Sequence, residues 1–412
     1  MDALTMPSPL STLPPPPFLR LPDEIIEHIA GFLPAVSYPR NEKDENVGLS
    51  LQRLACTNWR LRNVVLPLSW KRIVLTQAVR RAPDLHRHLG RYGRHVRAIQ
   101  VDYLDIRDVI EHVEDEPNEL VAAVASWLPY CPDLTSFACL LVTKRATDPT
   151  PALQSLAHSS RCLEQLHLRG FYWSTASFEA LNDLVKSAAA LETLKIETRT
   201  FRENDDPLLA RVIPLPASLD SLRALDFPHS RCIHNWSADT APKIETLTFR
   251  VLAATDWTRL HECLGGSLKS LSFHKIVQAP GLDPLFFKDL RTVAIEASPG
   301  SVVFANLFAP DTPIERITLL YFDDELIANI QDFVMRQPTP TVKSITVTGS
   351  RSYDGYLEWF YSHLLGHRTA REQEEIDRRH AVFVAETQQK LVEYREWADA
   401  HGIVFTAKDA SA

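Results

Sequence analysis

Apolar positions along the chain fall into one recurring arrangement: apolar, two residues, apolar, one residue, apolar. Copies begin at Val96, Leu134, Leu163, Leu191, Leu222, Ile244, Leu268, Leu290, Ile314 and Val342. The last two apolar positions of each copy are two apart, the spacing that puts side chains on one face of a strand. The residues between and beside them are mostly polar, among them Thr248, Ser272, Thr318 and Thr346. Each copy therefore predicts a strand with one buried and one wet face. Successive copies start 22 to 38 residues apart. That is too far for a hairpin and long enough for a helical crossover to a parallel neighbour. Residues 118–128, 175–188, 256–264 and 324–336 read as such helices. In the last, Leu326, Ile327, Ile330, Phe333 and Val334 recur at helical spacing. The predicted class is α/β, with parallel strands and return helices stacked as repeats.

The chain ahead of the copies is patterned differently. Leu21-Pro-Asp-Glu-Ile-Ile-Glu-His-Ile29 places Pro22 at a first helical position and two acids in the first turn. Ile25, Ile26, Ile29, Phe32 and Leu33 then form an apolar stripe. After a polar interruption, Leu51, Leu54, Ala55, Trp59, Leu61, Val64, Val65 and Leu66 make a second helical block, ended by Pro67 and followed by Trp70 and Ile73. About fifty residues cannot bury all these large side chains within themselves, so an apolar surface is expected to remain for a partner. At the other end, residues 371–400 predict a long helix, Gly402 its stop, and Ile403-Val-Phe405 a closing strand.

The copies resemble leucine-rich repeats over roughly three fifths of the chain. They depart from the family at the eighth position, where an Asn or Cys side chain usually bonds the inner turn. Phe171, Arg199, Ser230, Leu252, Ile276, Ser298, Phe322 and Ser350 stand there instead in the later copies. The N-terminal block resembles an F-box in its opening Leu21-Pro22, its Ile25/Ile29 pair, the run Ala55-Cys56-x-x-Trp59-Arg60 and the closing Leu66-Pro-Leu-Ser-Trp70. Its insertion between Leu33 and Leu49 is longer and more acidic than the family's usual link.

The resemblance implies a non-catalytic receptor of a ubiquitin ligase. It would bind a Skp-type adaptor, and through it a cullin and a RING protein, while the repeats bind a target protein. By motif position the adaptor contacts would be Leu21, Pro22, Ile25, Ile29, Cys56, Trp59 and Trp70. Target contacts would come from the polar strand positions, led by Arg169, Arg250 and Arg316 with His167, Lys195 and His274. The expected organisation is a Pro-rich tail (1–18), an F-box (19–75), a basic linker (76–95), an irregular leucine-rich-repeat solenoid (96–366), and a C-terminal helix with a capping strand (367–412).

Composition alters this picture in two places. The six cysteines are scattered without CxxC spacing, which reads as reduced thiols in the cytoplasm or nucleus. No apolar run reaches membrane-span length. The net charge of −8 hides an asymmetry: residues 53–97 carry eleven Arg or Lys and one acid, while residues 102–119 carry eight acids and one base. Solvated faces are the simplest account, docking on an acidic protein a second. Nucleic-acid binding has the charge in its favour but no recognised module. No P-loop, GxGxxG, HExxH or GxSxG occurs. His229, Cys232 and His234 could offer three metal ligands, but no fourth follows at a usual spacing. A loop or core role is expected for them, and no cofactor.

Overall fold

The computed structural model describes residues 21–26, 54, 56–76, 82–104, 116–142, 147–198, 214–216, 219–277, 282–295, 304–320, 323–348 and 370–407. The protein is α/β. Twelve strands form one parallel sheet in strict chain order. They are β1 (Arg72–Thr76), β2 (Ala98–Leu104), β3 (Ser136–Val142), β4 (Gln165–Phe171), β5 (Thr193–Thr198), β6 (Ala224–His229), β7 (Thr246–Ala253), β8 (Ser270–Val277), β9 (Thr292–Ile295), β10 (Arg316–Leu319), β11 (Ser344–Val347) and β12 (Val404–Ala407). Among the described residues the α-helices with complete ranges are α1 (Trp59–Trp70), α2 (Ala82–Tyr92), α3 (Glu116–Trp127), α4 (Thr150–Ser159), α5 (Thr175–Ser187), α6 (Trp257–Leu264), α7 (Phe304–Leu307), α8 (Asp324–Arg336) and α9 (Ala370–Ala400).

The repeated apolar pattern becomes three rows across the sheet. All ten first positions, Val96 to Val342, are buried. The second and third positions pair in register from strand to strand, as in Leu225–Leu247–Leu271 and Phe227–Phe249–Phe273. Helices cover the same side of the sheet and share its core, with Leu181, Leu184, Leu260, Ile330 and Phe333 packed among the strand residues. Between the first and second apolar positions, one carbonyl accepts two N–H groups from the next repeat. Thr135 O receives Glu164 N and Gln165 N, and Glu164 O receives Glu192 N and Thr193 N. The same arrangement runs unbroken from Lys71 to Glu315. This ladder satisfies the backbone where each strand begins and holds the register.

Apolar packing replaces side-chain bonding at three of the eighth positions, where Phe171, Leu252 and Ile276 are buried, while Val142 is exposed at another. Ser230 bonds instead. Its hydroxyl accepts from Ala253 N–H at 3.0 Å and donates to the buried Asp256.

The sheet extends beyond the ten copies at both ends. β1 begins within the stretch assigned from sequence to residues 19–75 and ends one residue past it, and Trp70 at the end of α1 joins the main core. Residues 82–92 of the expected linker form α2, which buries Leu85 and Leu89 and turns Arg87 and Arg91 to solvent. At the far end α9 closes in a Gly-centred cap. Gly402 has φ +70°, its N–H bonds Asp399 O, and Ile403 N–H bonds Ala398 O. β12 then pairs with β11. Asp324 at the start of α8 holds α9 through an ion pair with Lys390 and a hydrogen bond from Tyr394 Oη at 3.4 Å.

Candidate functional site

Two surfaces carry the residues singled out from sequence. The first is N-terminal. Ile26, Leu61 and Val65 form a small buried cluster, with Leu21, Leu54, Val64 and Leu68 packed against it. Asn58 caps α1 by accepting from Arg60 N–H. Arg60 then ties the turn at residues 21–26 to α1. Its guanidinium donates to Asp23 Oδ1 at 2.6 and 2.9 Å and to Leu21 O at 2.7 Å. Large apolar side chains remain outside this cluster: Ile25 is 44% exposed and Trp59 74% exposed. Pro22 and Cys56 are also exposed, and Leu21 is half-buried. Trp70 differs from this group. It is only 6% exposed, stacked on Tyr92 at 5.3 Å and tilted against His88. Burial in the sheet's core withdraws its ring from any exposed contact surface. Ile29 lies outside the described residues.

The second surface is the polar face of the sheet, opposite the helical layer. Register places His167 beside Lys195 and Arg169 beside Glu197. Glu197 Oε1 accepts from His167 Nε2 at 2.9 Å and from Lys195 Nζ at 2.7 Å, and Arg169 Nε lies 3.4 Å from Oε2. The bond from His167 and the Lys195 ammonium, working against partial burial, hold the Glu197 carboxyl down at about 2. Lys195 also reaches toward Asp226, 3.7 Å away. Burial raises the Asp226 carboxyl above its ordinary range, opposed by the nearby charges of Lys195, Arg250 and His274.

The structure thus brings five of the six sequence-predicted residues, His167, Arg169, Lys195, Arg250 and His274, around two acids, Glu197 and Asp226. Arg316 stands apart on β10, in the row of Thr292 and Ser344. Glu197 and Asp226 belong to the polar strand positions expected to line this face but not to the leading contacts, although repeat alignment alone sets Arg169 opposite Glu197. Beside this cluster β3 presents Ala138 and Leu140, paired with His167 and Arg169, and then the exposed Val142. Among the described residues of this face, Arg72, Arg169, Lys195, Arg250 and Arg316 outnumber Asp102, Glu197 and Asp226. By these described residues the face carries an excess of cations, on a chain whose net charge is −8.

The His229–Cys232–His234 trio has structural work. His229 Nδ1 caps a short 3-10 turn by accepting from Arg231 N–H. Burial pushes the Cys232 thiol well above its ordinary range. His234 Nε2 bonds the buried Asp256 at 2.6 Å. Among the described residues there is no group of three metal-ligating side chains and no helix long and apolar enough to cross a membrane. No protein-family model matches the chain, and no curated protein matches it.

Proposed function

We propose that this chain is the substrate-recognition subunit of a Skp–cullin–F-box ubiquitin ligase. The observation that carries the reading is the exposed pair Ile25 and Trp59 on a small helical cluster, placed directly ahead of a broad sheet with an outward polar face. Large exposed apolar residues on a unit too small to bury them favour a protein partner. In this reading residues 19–75 act as an F-box, with Leu21, Pro22, Ile25, Cys56 and Trp59 on the adaptor. The stacked strands and helices are a degenerate leucine-rich-repeat solenoid that holds the target. The receptor contributes no bond-making group. It raises the effective concentration of target lysines beside a ubiquitin-charged enzyme.

The test is co-expression with a Skp-type adaptor, followed by addition of a cullin–RING pair. A stable complex is expected. Changing Ile25→Ser with Trp59→Ser should weaken adaptor binding about a hundredfold, as loss of two apolar anchors would. Thermal unfolding should be unchanged, because both side chains face solvent. Wild-type affinity in the double variant would overturn the assignment. An adaptor complex that never recruits a cullin would instead favour a scaffold that has lost its ligase.

A further inference from the structure

Resting on that reading, we propose that the polar face recognises an extended acidic protein segment. One apolar side chain would sit on the β3 shelf, with carboxylates on the cations of β4 and β5. Charge sets the sign. Arg169, Lys195 and Arg250 exceed Glu197 and Asp226, and His167 and His274 stand in the same patch. Preorganisation sets the site. Glu197 stays ionised and holds His167 and Lys195 in place, so less side-chain freedom is lost when a ligand arrives. Arg169 is the available fork. Its side chain is 53% exposed, with Nε 3.4 Å from Glu197 Oε2, so the guanidinium is open to a second, bidentate contact with an incoming carboxylate.

The shelf supplies the apolar half of the contact. Leu140 lies one strand from Arg169, about 5 Å away at the usual spacing, and Val142 is exposed beyond it. An extended peptide alternates its side chains two by two, so an apolar residue flanked by acids matches a shelf flanked by cations. A nucleic acid fits less well. Its evenly spaced phosphates would meet the fixed charge of Glu197 in the middle of the patch, and tracking a backbone calls for a continuous basic groove.

The experiment uses the full chain, mixed with a Skp-type adaptor, and a fluorescein-labelled ten-residue peptide of Asp and Glu around a central Leu. Anisotropy should report saturable binding that weakens with added salt. A peptide with Asn and Gln in place of the acids should bind at least tenfold more weakly, on the order expected for lost charge-assisted contacts. Arg169→Glu and, separately, Leu140→Asp should each reduce affinity about tenfold or more. Lys186→Ala, an exposed change on α5 across the sheet from the patch, should not. Equal binding of the neutral peptide, tighter binding of an oligo-dT probe, indifference to Arg169→Glu, or no binding at all would each overturn the inference. Adaptor capture is measured in the same samples. Capture without peptide binding removes only this inference, whereas peptide binding by a chain that captures no adaptor removes the ligase reading instead.

Discussion

A carboxylate that accepts from His167 and Lys195 is favoured in its ionised form, and at Glu197 this lowers the folded carboxyl from an ordinary 4.5 to about 2. The unfolded chain keeps the higher value. The resulting stabilisation is therefore fully present above about pH 4.5 and is lost as pH falls through 2. Discounted for solvent screening, it is on the order of 1–2 kcal/mol. Glu197→Gln should lower the urea midpoint at pH 7, and its gap from wild type should narrow between pH 4.5 and pH 2. A gap that does not change with pH would show that the glutamate acts by shape alone. The cysteines obey the same electrostatics. Burial pushes the Cys131 thiol up to about 12 and the Cys232 thiol well up, whereas Cys56 and Cys162 are exposed. Brief alkylation of the folded protein, read by peptide mass spectrometry, should label Cys56 and Cys162 and spare Cys131 and Cys232.

Gly170 shows how an element can depend on one backbone conformation. It sits at φ +82°, where the β4–β5 register shifts between Arg169 and Phe171. The irregularity lets Arg169 face solvent while Phe171 turns into the core. A Cβ at Gly170 would stand 1.9 Å from Leu141 O. Gly170→Ala should therefore cost about 2–4 kcal/mol, measurable by urea unfolding, since it combines left-handed strain with a backbone clash. The strands themselves were legible in the sequence because a period of two within each copy, and apolar helical spacing between copies, leave few alternatives. α8 spans the predicted residues 324–336. β1 was harder to see. Trp70, Ile73 and Leu75 have the spacing of the other copies, but Val74 fills the usual polar slot and the preceding block reads as helix. α2 was hidden for the opposite reason, since only Leu85 and Leu89 mark its buried face among many charges. The Glu197 cluster depended on pairing. No property of Glu197 alone distinguishes it, and the register between copies supplies its partners.

Strict chain order means that every strand bonds only the strands of its neighbouring repeats. Stability in such a stack approximates a sum of local units and nearest-neighbour interfaces, so a defect at the centre has consequences different from one at an end. The middle interface is well suited to a test because Phe227, Phe249 and Phe273 lie side by side in one row and are fully buried. Removing the central ring in Phe249→Ala leaves a cavity flanked by two aromatic faces, and such truncations cost about 3–5 kcal/mol. The loss falls on the β6–β7 and β7–β8 interfaces. Strands β2–β4 keep their own helices α3 to α5, and β10–β12 keep α8 and α9, so neither flank depends directly on that ring. Hydrogen exchange should therefore show β6–β8 amides losing protection first while both flanks keep most of theirs. Urea unfolding monitored by far-ultraviolet dichroism should broaden or split as the halves uncouple. A uniform loss of protection across all twelve strands, with a single sharp transition, would mean that the sheet unfolds as one cooperative body despite its linear order.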